Sequence, residues 1–338
     1  MSLICNLPNP PLHPPLLSPG FAIGASTLFT FTYVASLYLS PAGRLANKPD
    51  LDGRIIDRDH PIVIRARIKT ASFATAFTLL ATGIGLWVKG VVPRSGWLLD
   101  TLNVARLLGL PLPVPTVLSS STLPFDPPLL QYGSIVGKHI FAPLLLTLSL
   151  FLGPLYVSYL DRTLPFQSRF SFQHDVVSKF TSLTGVRNYT VGPLTEELVF
   201  RSSILTPLFF ASIPTSSLIF LTPLLFGIAH LHHAYNNYLS GYSLSRSLLV
   251  ATLQFSYTGV FGWYANFLFL RSGSVLPGIV AHVVCNVMGL PEPVAAGERH
   301  TKKRGWIWFA HAVGVVAFAK ALMPLTSERV FGGSLYWR

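Results

Sequence analysis

The chain has 338 residues, half of them hydrophobic and only 11% charged, with a formal net charge of +12 and a mean hydropathy of +0.51. Soluble domains carry about 25% charged residues, so the composition excludes an ordinary soluble protein. Nucleic acid is not the partner that the positive charge implies, because Lys and Arg are spread through short loops between apolar segments, the distribution of a protein whose partner is the lipid bilayer.

Residues 1–20 are Pro-rich and lack both a basic n-region and a small-residue cleavage site, so they are expected to be a retained tail and not a secretory signal. From Met1 to Gly43 no charged residue occurs, and further charge-free runs cover Thr70 to Val88, His139 to Leu160, Ser202 to Ser245, Ser247 to Leu270 and Ser272 to Pro291. Runs of about 20 residues cross the hydrocarbon core as helices, which satisfy their own backbone groups there. The expected fold is therefore all-α and polytopic, with about eight transmembrane helices at about 21–41, 70–90, 134–160, 190–210, 215–234, 245–270, 275–290 and 305–324. The expected divisions are the tail 1–20, two N-terminal helices with a loop and interfacial segment over 21–133, a helical core over 134–325, and a C-terminal tail over 326–338. Within the second division GWLLDTLNVARLLGL suggests an interfacial helix, and the Pro-rich stretch 111–129 a loop.

The loop 42–69 carries seven basic residues, and the loops 161–189 and 291–304 carry four each, against few on the other side. The positive-inside rule places these loops in the cytosol and both termini outside or in the lumen. There are two cysteines, Cys5 and Cys285, so no disulfide framework is implied.

Three polar clusters then fall at similar depth, near the cytosolic side. The first is TEELVFRSS, in which Glu196, Glu197 and Arg201 lie inside an apolar run. Ionisable residues in a membrane helix point to a functional site. Glu197 and Arg201, four apart, share a helix face and are placed to pair. Glu196 is turned about 100° away, which leaves one carboxylate neutralised and one free. A plain buried ionic network is the competing reading, although buried ion pairs stabilise weakly. The second cluster is FGIAHLHHAYNN, with Phe226 one turn before His230; His232 and His233 read as interfacial. The third is AHVVCNVMG, where His282 and Asn286 project from one face. A carboxylate with a histidine can position and deprotonate water, while a second histidine and an asparagine amide offer donors to an oxyanion. The set suits amide hydrolysis.

These motifs, EELVFR, FGIAH and HVVCN in that order on successive late helices, resemble those of the type II CAAX prenyl endopeptidases, the Ras-converting enzymes. The resemblance spans roughly residues 134 to 325 and makes that core the catalytic one. It implies removal of the last three residues from prenylated CAAX proteins, such as small GTPases, at the cytosolic side of the endoplasmic reticulum membrane, with no cofactor. By the same resemblance Glu196 is the general base with His230 as partner, His282 and Asn286 bind the oxyanion, and Glu197, Arg201 and Phe226 support the site. Two other chemistries use the same region. Glu196, His230 and His282 form a ligand set suited to zinc, without HExxH spacing, and Cys285 offers a thiol, which burial would keep inert. A membrane scaffold or transporter with a polar cavity is the non-enzymatic alternative.

Overall fold

The computed structural model describes residues 15–44, 49–50, 53, 56–92, 94–112, 127–230 and 232–337. Most of the expected N-terminal tail and of the loop 111–129 lies outside them. Among the described residues the regular structure is helical and no strand occurs.

Helix α1 (Pro19–Leu39) starts where Ser18 accepts a hydrogen bond from the Phe21 N–H (3.3 Å) and Pro19 fixes the first helical φ. Helix α2 (Pro61–Val88) begins well before the expected residue 70. His60 caps it and Pro61 opens it, so Arg65, Arg67 and Lys69 occupy its first turns. The charges that ended the expected span are accommodated there because long basic side chains lie along the helix and reach out of the apolar layer. Arg67 donates to the Gly43 carbonyl (2.9 Å), with its guanidinium 5.3 Å from the Tyr38 ring centroid. Helix α3 (Trp97–Leu107) takes up the segment expected to be interfacial. Its Asp100 accepts from the Ser95 N–H (2.8 Å) and the Trp87 indole (3.1 Å), which holds it to the end of α2.

Instead of one helix over 134–160 there are two, α4 (Pro127–Leu150) and α5 (Leu152–Leu160). Pro154 has no N–H to give the Leu150 carbonyl, and the helix breaks in that turn.

After short helical segments over 172–181 and Leu183–Gly185, the run Val186 to Phe210 is built from a π turn (Val186–Val191), α6 (Gly192–Glu197), another π turn (Leu198–Leu205) and α7 (Thr206–Phe210). Pro193 and Pro207 each remove the N–H that an α-helix would return to the carbonyl four residues earlier, and wide turns take up the mismatch. The carbonyl freed by Pro207 is that of Ser203, and it shares the Thr82 hydroxyl of α2 (3.3 Å) with the Thr78 carbonyl, to which that hydroxyl makes its shorter bond (2.8 Å). Every residue from Val199 to Ala211 is buried, so this run is the axis of the bundle and its charges face protein, not lipid. On one flank, the Thr195 hydroxyl donates to the Val191 carbonyl (2.8 Å), so the Tyr33 hydroxyl of α1 donates to Thr195 (2.9 Å).

Short helices α8 (Thr215–Phe220), α9 (Pro223–Ala229) and α10 (His232–Leu239) follow, then the long α11 (Leu244–Ser272), which Ser243 caps and Gly273 ends in the left-handed conformation (φ 64°). Helices α12 (Leu276–Met288), α13 (Pro293–Arg299), α14 (Arg304–Leu325) and α15 (Glu328–Phe331) complete the chain. Residues 326–337 pack against the bundle. Phe331, Leu335 and Tyr336 are buried, His139 donates to the Phe331 carbonyl (3.0 Å) and the Tyr336 hydroxyl donates to that of Leu107.

Among the described residues six helical stretches are long and apolar enough to cross a membrane: Pro19–Leu39, Pro61–Val88, Gln131–Leu150, Thr215–Leu239, Leu276–Arg299 and Thr301–Leu325. The two other expected spans, 190–210 and 245–270, are helical but more polar. The first holds the Glu196, Glu197 and Arg201 charges, and the second holds Thr252, Gln254, Ser256, Thr258 and Asn266. Phe31, Phe73, Leu80, Phe309 and Val315 all point outward, a ring of exposed apolar surface that a bilayer covers. The protein is an all-α polytopic membrane protein.

Candidate active site

The axial helix run, the end of α9, α11 and α12 converge on the two glutamates. Glu197 is fully buried and Arg201 is 1% exposed, with Arg201 Nε 3.1 Å from Glu197 Oε2. The four-residue spacing makes this pair, as expected. The guanidinium lies 5.0 Å from the Phe226 ring centroid and 5.8 Å from that of Phe261. None of its nitrogens has a well-aligned hydrogen-bond acceptor among the described residues, so the charge is balanced by Glu197 and by the two ring faces. Phe226 itself is 2% exposed and is a wall of the site.

His282 supplies the link that spacing alone did not predict. Its Nδ1 donates to Glu197 Oε1 (2.9 Å), and its Nε2 stands 3.7 Å from Glu196 Oε2. A single imidazole thus touches both carboxylates, and its ring packs 4.7 Å from Phe261. The Glu196 side chain keeps 23% of its surface exposed where Glu197 keeps none, so Glu196 is the carboxylate open to a reactant. His230 follows α9 as its C-cap. Its Nδ1 donates to the Phe226 carbonyl (2.8 Å), and its ring stands edge-on to Phe226 at 4.7 Å. Phe226 also meets His282 (6.3 Å) and so lies between the two histidines.

Asn286 is joined to the site by another route. It is exposed, and its Nδ2 donates to the Asn188 carbonyl (2.9 Å) in the π turn Val186–Val191. Cys285 beside it is half-buried and unpaired by a disulfide. No group of three or more His, Cys, Asp or Glu side chains that could hold a metal ion is present among the described residues.

Gly278 was not singled out from the sequence. It lies one turn before His282 on the same face, and a Cβ there would sit 2.8 Å from Glu197 Oε2. Its four-residue offset from His282 was the available signal. Gly278→Ala is expected to push the Glu197 carboxylate off His282. The overpacking should cost about 1–3 kcal/mol, read as a lower melting temperature in detergent together with reduced activity per folded molecule.

Two glutamates on the axial run, met by His282 of α12 with His230 at the end of α9 nearby, give a polytopic membrane bundle a site suited to amide hydrolysis, that of a membrane-embedded protease. The sequence model of the Rce1-like type II CAAX prenyl endopeptidases matches residues 178–288, which contain all of these side chains. The chain is 32% identical over 281 residues to the CAAX prenyl protease 2 of Homo sapiens, covering 82% of this chain and 76% of that protein. It is 33% identical over 269 residues to the probable CAAX prenyl protease 2 of Schizosaccharomyces pombe, covering 79% and 80%. Against the CAAX prenyl protease 2 of Arabidopsis thaliana, identity is 41% over 167 residues, about half of each protein. The chain belongs to the type II CAAX prenyl endopeptidase family. No solved structure matches it.

Proposed function

We propose that this protein is an intramembrane endopeptidase that releases the C-terminal tripeptide of prenylated CAAX proteins, small GTPases among them. The observation that carries the reading is the contact of one histidine, His282, with both glutamates, 2.9 Å from Glu197 and 3.7 Å from Glu196.

In this reading Glu196 takes a proton from water with His230 as its partner, and the oxygen attacks the carbonyl carbon of the prenylated cysteine. The carbonyl π electrons move to oxygen. His282 Nδ1–H is committed to Glu197, so donation to the oxyanion from Nε2 requires the imidazolium, whose charge the oxyanion balances while Glu196 holds the water proton. The amide of Asn286 supplies a second donor. When the tetrahedral intermediate collapses the C–N bond breaks, and the proton held by Glu196 goes to the departing amine. Glu197 fixes the imidazole and neutralises Arg201. A prenyl chain contributes about 0.8 kcal/mol per buried CH₂ to membrane partitioning, which holds the substrate at the depth of these side chains.

The test is tripeptide release by the purified protein from a farnesylated peptide, with the unprenylated peptide as control. Release from the prenylated peptide alone supports the reading, and release from neither overturns it in favour of a scaffold or transporter. Exhaustively chelated enzyme is expected to keep its activity. Loss on chelation that Zn²⁺ alone restores would make Glu196, His230 and His282 ligands.

The proposed setting is the endoplasmic reticulum membrane, and a site toward the cytosol follows from the 15 of the 25 basic residues that fall in the segments 42–69, 161–189 and 291–304, which are loops and the helix ends that adjoin them. An N-glycosylation acceptor inserted beside Lys302 is expected to stay unmodified. Efficient modification there would reverse the orientation.

A further inference from the structure

The π turn Val186–Val191 joins two parts of the molecule that are far apart in sequence. On one side the Arg187 guanidinium donates from NH1 to the Arg58 carbonyl and from NH2 to Asp59 Oδ1, both at 2.8 Å, just before the start of α2. Its third nitrogen, Nε, donates to the side-chain oxygen of Asn188 (2.8 Å). On the other side the Asn188 carbonyl accepts from Asn286 Nδ2 (2.9 Å), at the end of α12. Close by, Lys179 donates to the Val287 carbonyl (3.3 Å) and lies over the Tyr189 ring (5.6 Å), so the same stretch of chain holds the same turn of α12 twice.

The direction of these bonds matters. A backbone carbonyl only accepts, so Asn188 fixes which end of the Asn286 amide is the nitrogen. One N–H is committed to that carbonyl, which leaves the second N–H of an exposed side chain for another acceptor. Where Asn188 sits is set in turn by Arg187, whose three nitrogens each donate to a separate acceptor. A guanidinium does this through its rigid planar fork, and a lysine ammonium cannot reproduce it. The Arg187 side chain is 17% exposed, and its partner Asp59 is 58% exposed.

We propose that Arg187 is a positioning residue, which acts through the Asn188 carbonyl to aim the Asn286 amide at the reacting carbonyl. The proposal rests on the reading of Asn286 as an oxyanion donor. A misplaced donor is felt in the transition state and not in the ground state, so the effect belongs in kcat.

The experiment is a double-mutant cycle on the purified full chain with a farnesylated peptide. It uses Arg187→Ala, Asn286→Ala and the pair, reading kcat and KM beside the melting temperature. Arg187→Ala is expected to lower kcat about tenfold with KM within about twofold of wild type. In the Asn286→Ala background the same change is expected to alter kcat by less than about twofold, because nothing is left to aim. Arg187→Lys should recover only part of the loss. Asp59→Ala removes one anchor while the Arg58 carbonyl and Asn188 remain, and it serves as the milder variant if Arg187→Ala does not fold. Its loss of kcat should be smaller and should also disappear in the Asn286→Ala background. An unchanged kcat in Arg187→Ala, or an equal loss whether or not Asn286 is present, would overturn the proposal while leaving Asn286 in its role. If Asn286→Ala alone leaves kcat unchanged, the oxyanion role fails, and the proposal fails with it.

Discussion

Glu196→Gln is expected to abolish turnover, by at least about 10²- to 10⁴-fold in kcat, in a protein that still inserts, folds and binds prenylated peptide. The amide keeps the shape of the side chain and can still donate and accept hydrogen bonds, but it takes no proton from water. The fold should tolerate the change because Glu196 is the partly exposed member of the pair, with 23% of its side-chain surface open, and its contact with His282 Nε2 is a loose 3.7 Å. No buried cation depends on it alone, since Arg201 has Glu197 at 3.1 Å. The measurement is activity per folded molecule beside melting temperature and peptide affinity. A well-folded Glu196→Gln with near wild-type turnover, alongside an inactive and equally well-folded Glu197→Gln, would reverse the assignment and make Glu197 the base.

How much of this the sequence contains depends on the reach of each interaction. The pairing of Glu197 with Arg201 is local, four residues on one helix, and the spacing settles it. The charge-free runs are local too, and most helices lie where those runs lie. Where the reading departed from the structure, proline or charge chemistry was the cause. Pro61 and His60 start α2 before the charges that had marked its edge, and Pro154 splits the expected third span. Pro193 and Pro207 fall in a helical run that the structure divides between α and π turns, which a count of apolar residues does not register. The contacts that assemble the site join helices far apart in the chain. Nothing near Glu196 in sequence says that His282 will face it, and the wall formed by Phe261 has no motif around it. Gly278 is intermediate, because its offset from His282 is visible in the sequence while the carboxylate it makes room for is not.

Glu197→Gln is expected to act first on stability. Removing one partner of a buried ion pair costs about 3–5 kcal/mol, and here the remaining Arg201 is 1% exposed with no other aligned acceptor among the described residues. Melting temperature and yield should fall sharply. The same change weakens the bond that fixes His282, so activity per folded molecule should fall as well, and the single variant mixes the two effects. Replacing both partners with apolar residues of similar volume, Glu197→Leu with Arg201→Met, separates them. Without a stranded charge the double variant should regain most of the lost stability, because apolar replacements for a buried pair are often neutral or stabilising. It should not regain activity, since the carboxylate that accepts from His282 Nδ1 at 2.9 Å is gone and the imidazole is free to turn away from Glu196. A stable and fully active double variant would show that Glu197 serves the helix packing alone. A stable and inactive one places Glu197 between the two tasks, neutralising Arg201 with one oxygen and orienting the imidazole with the other.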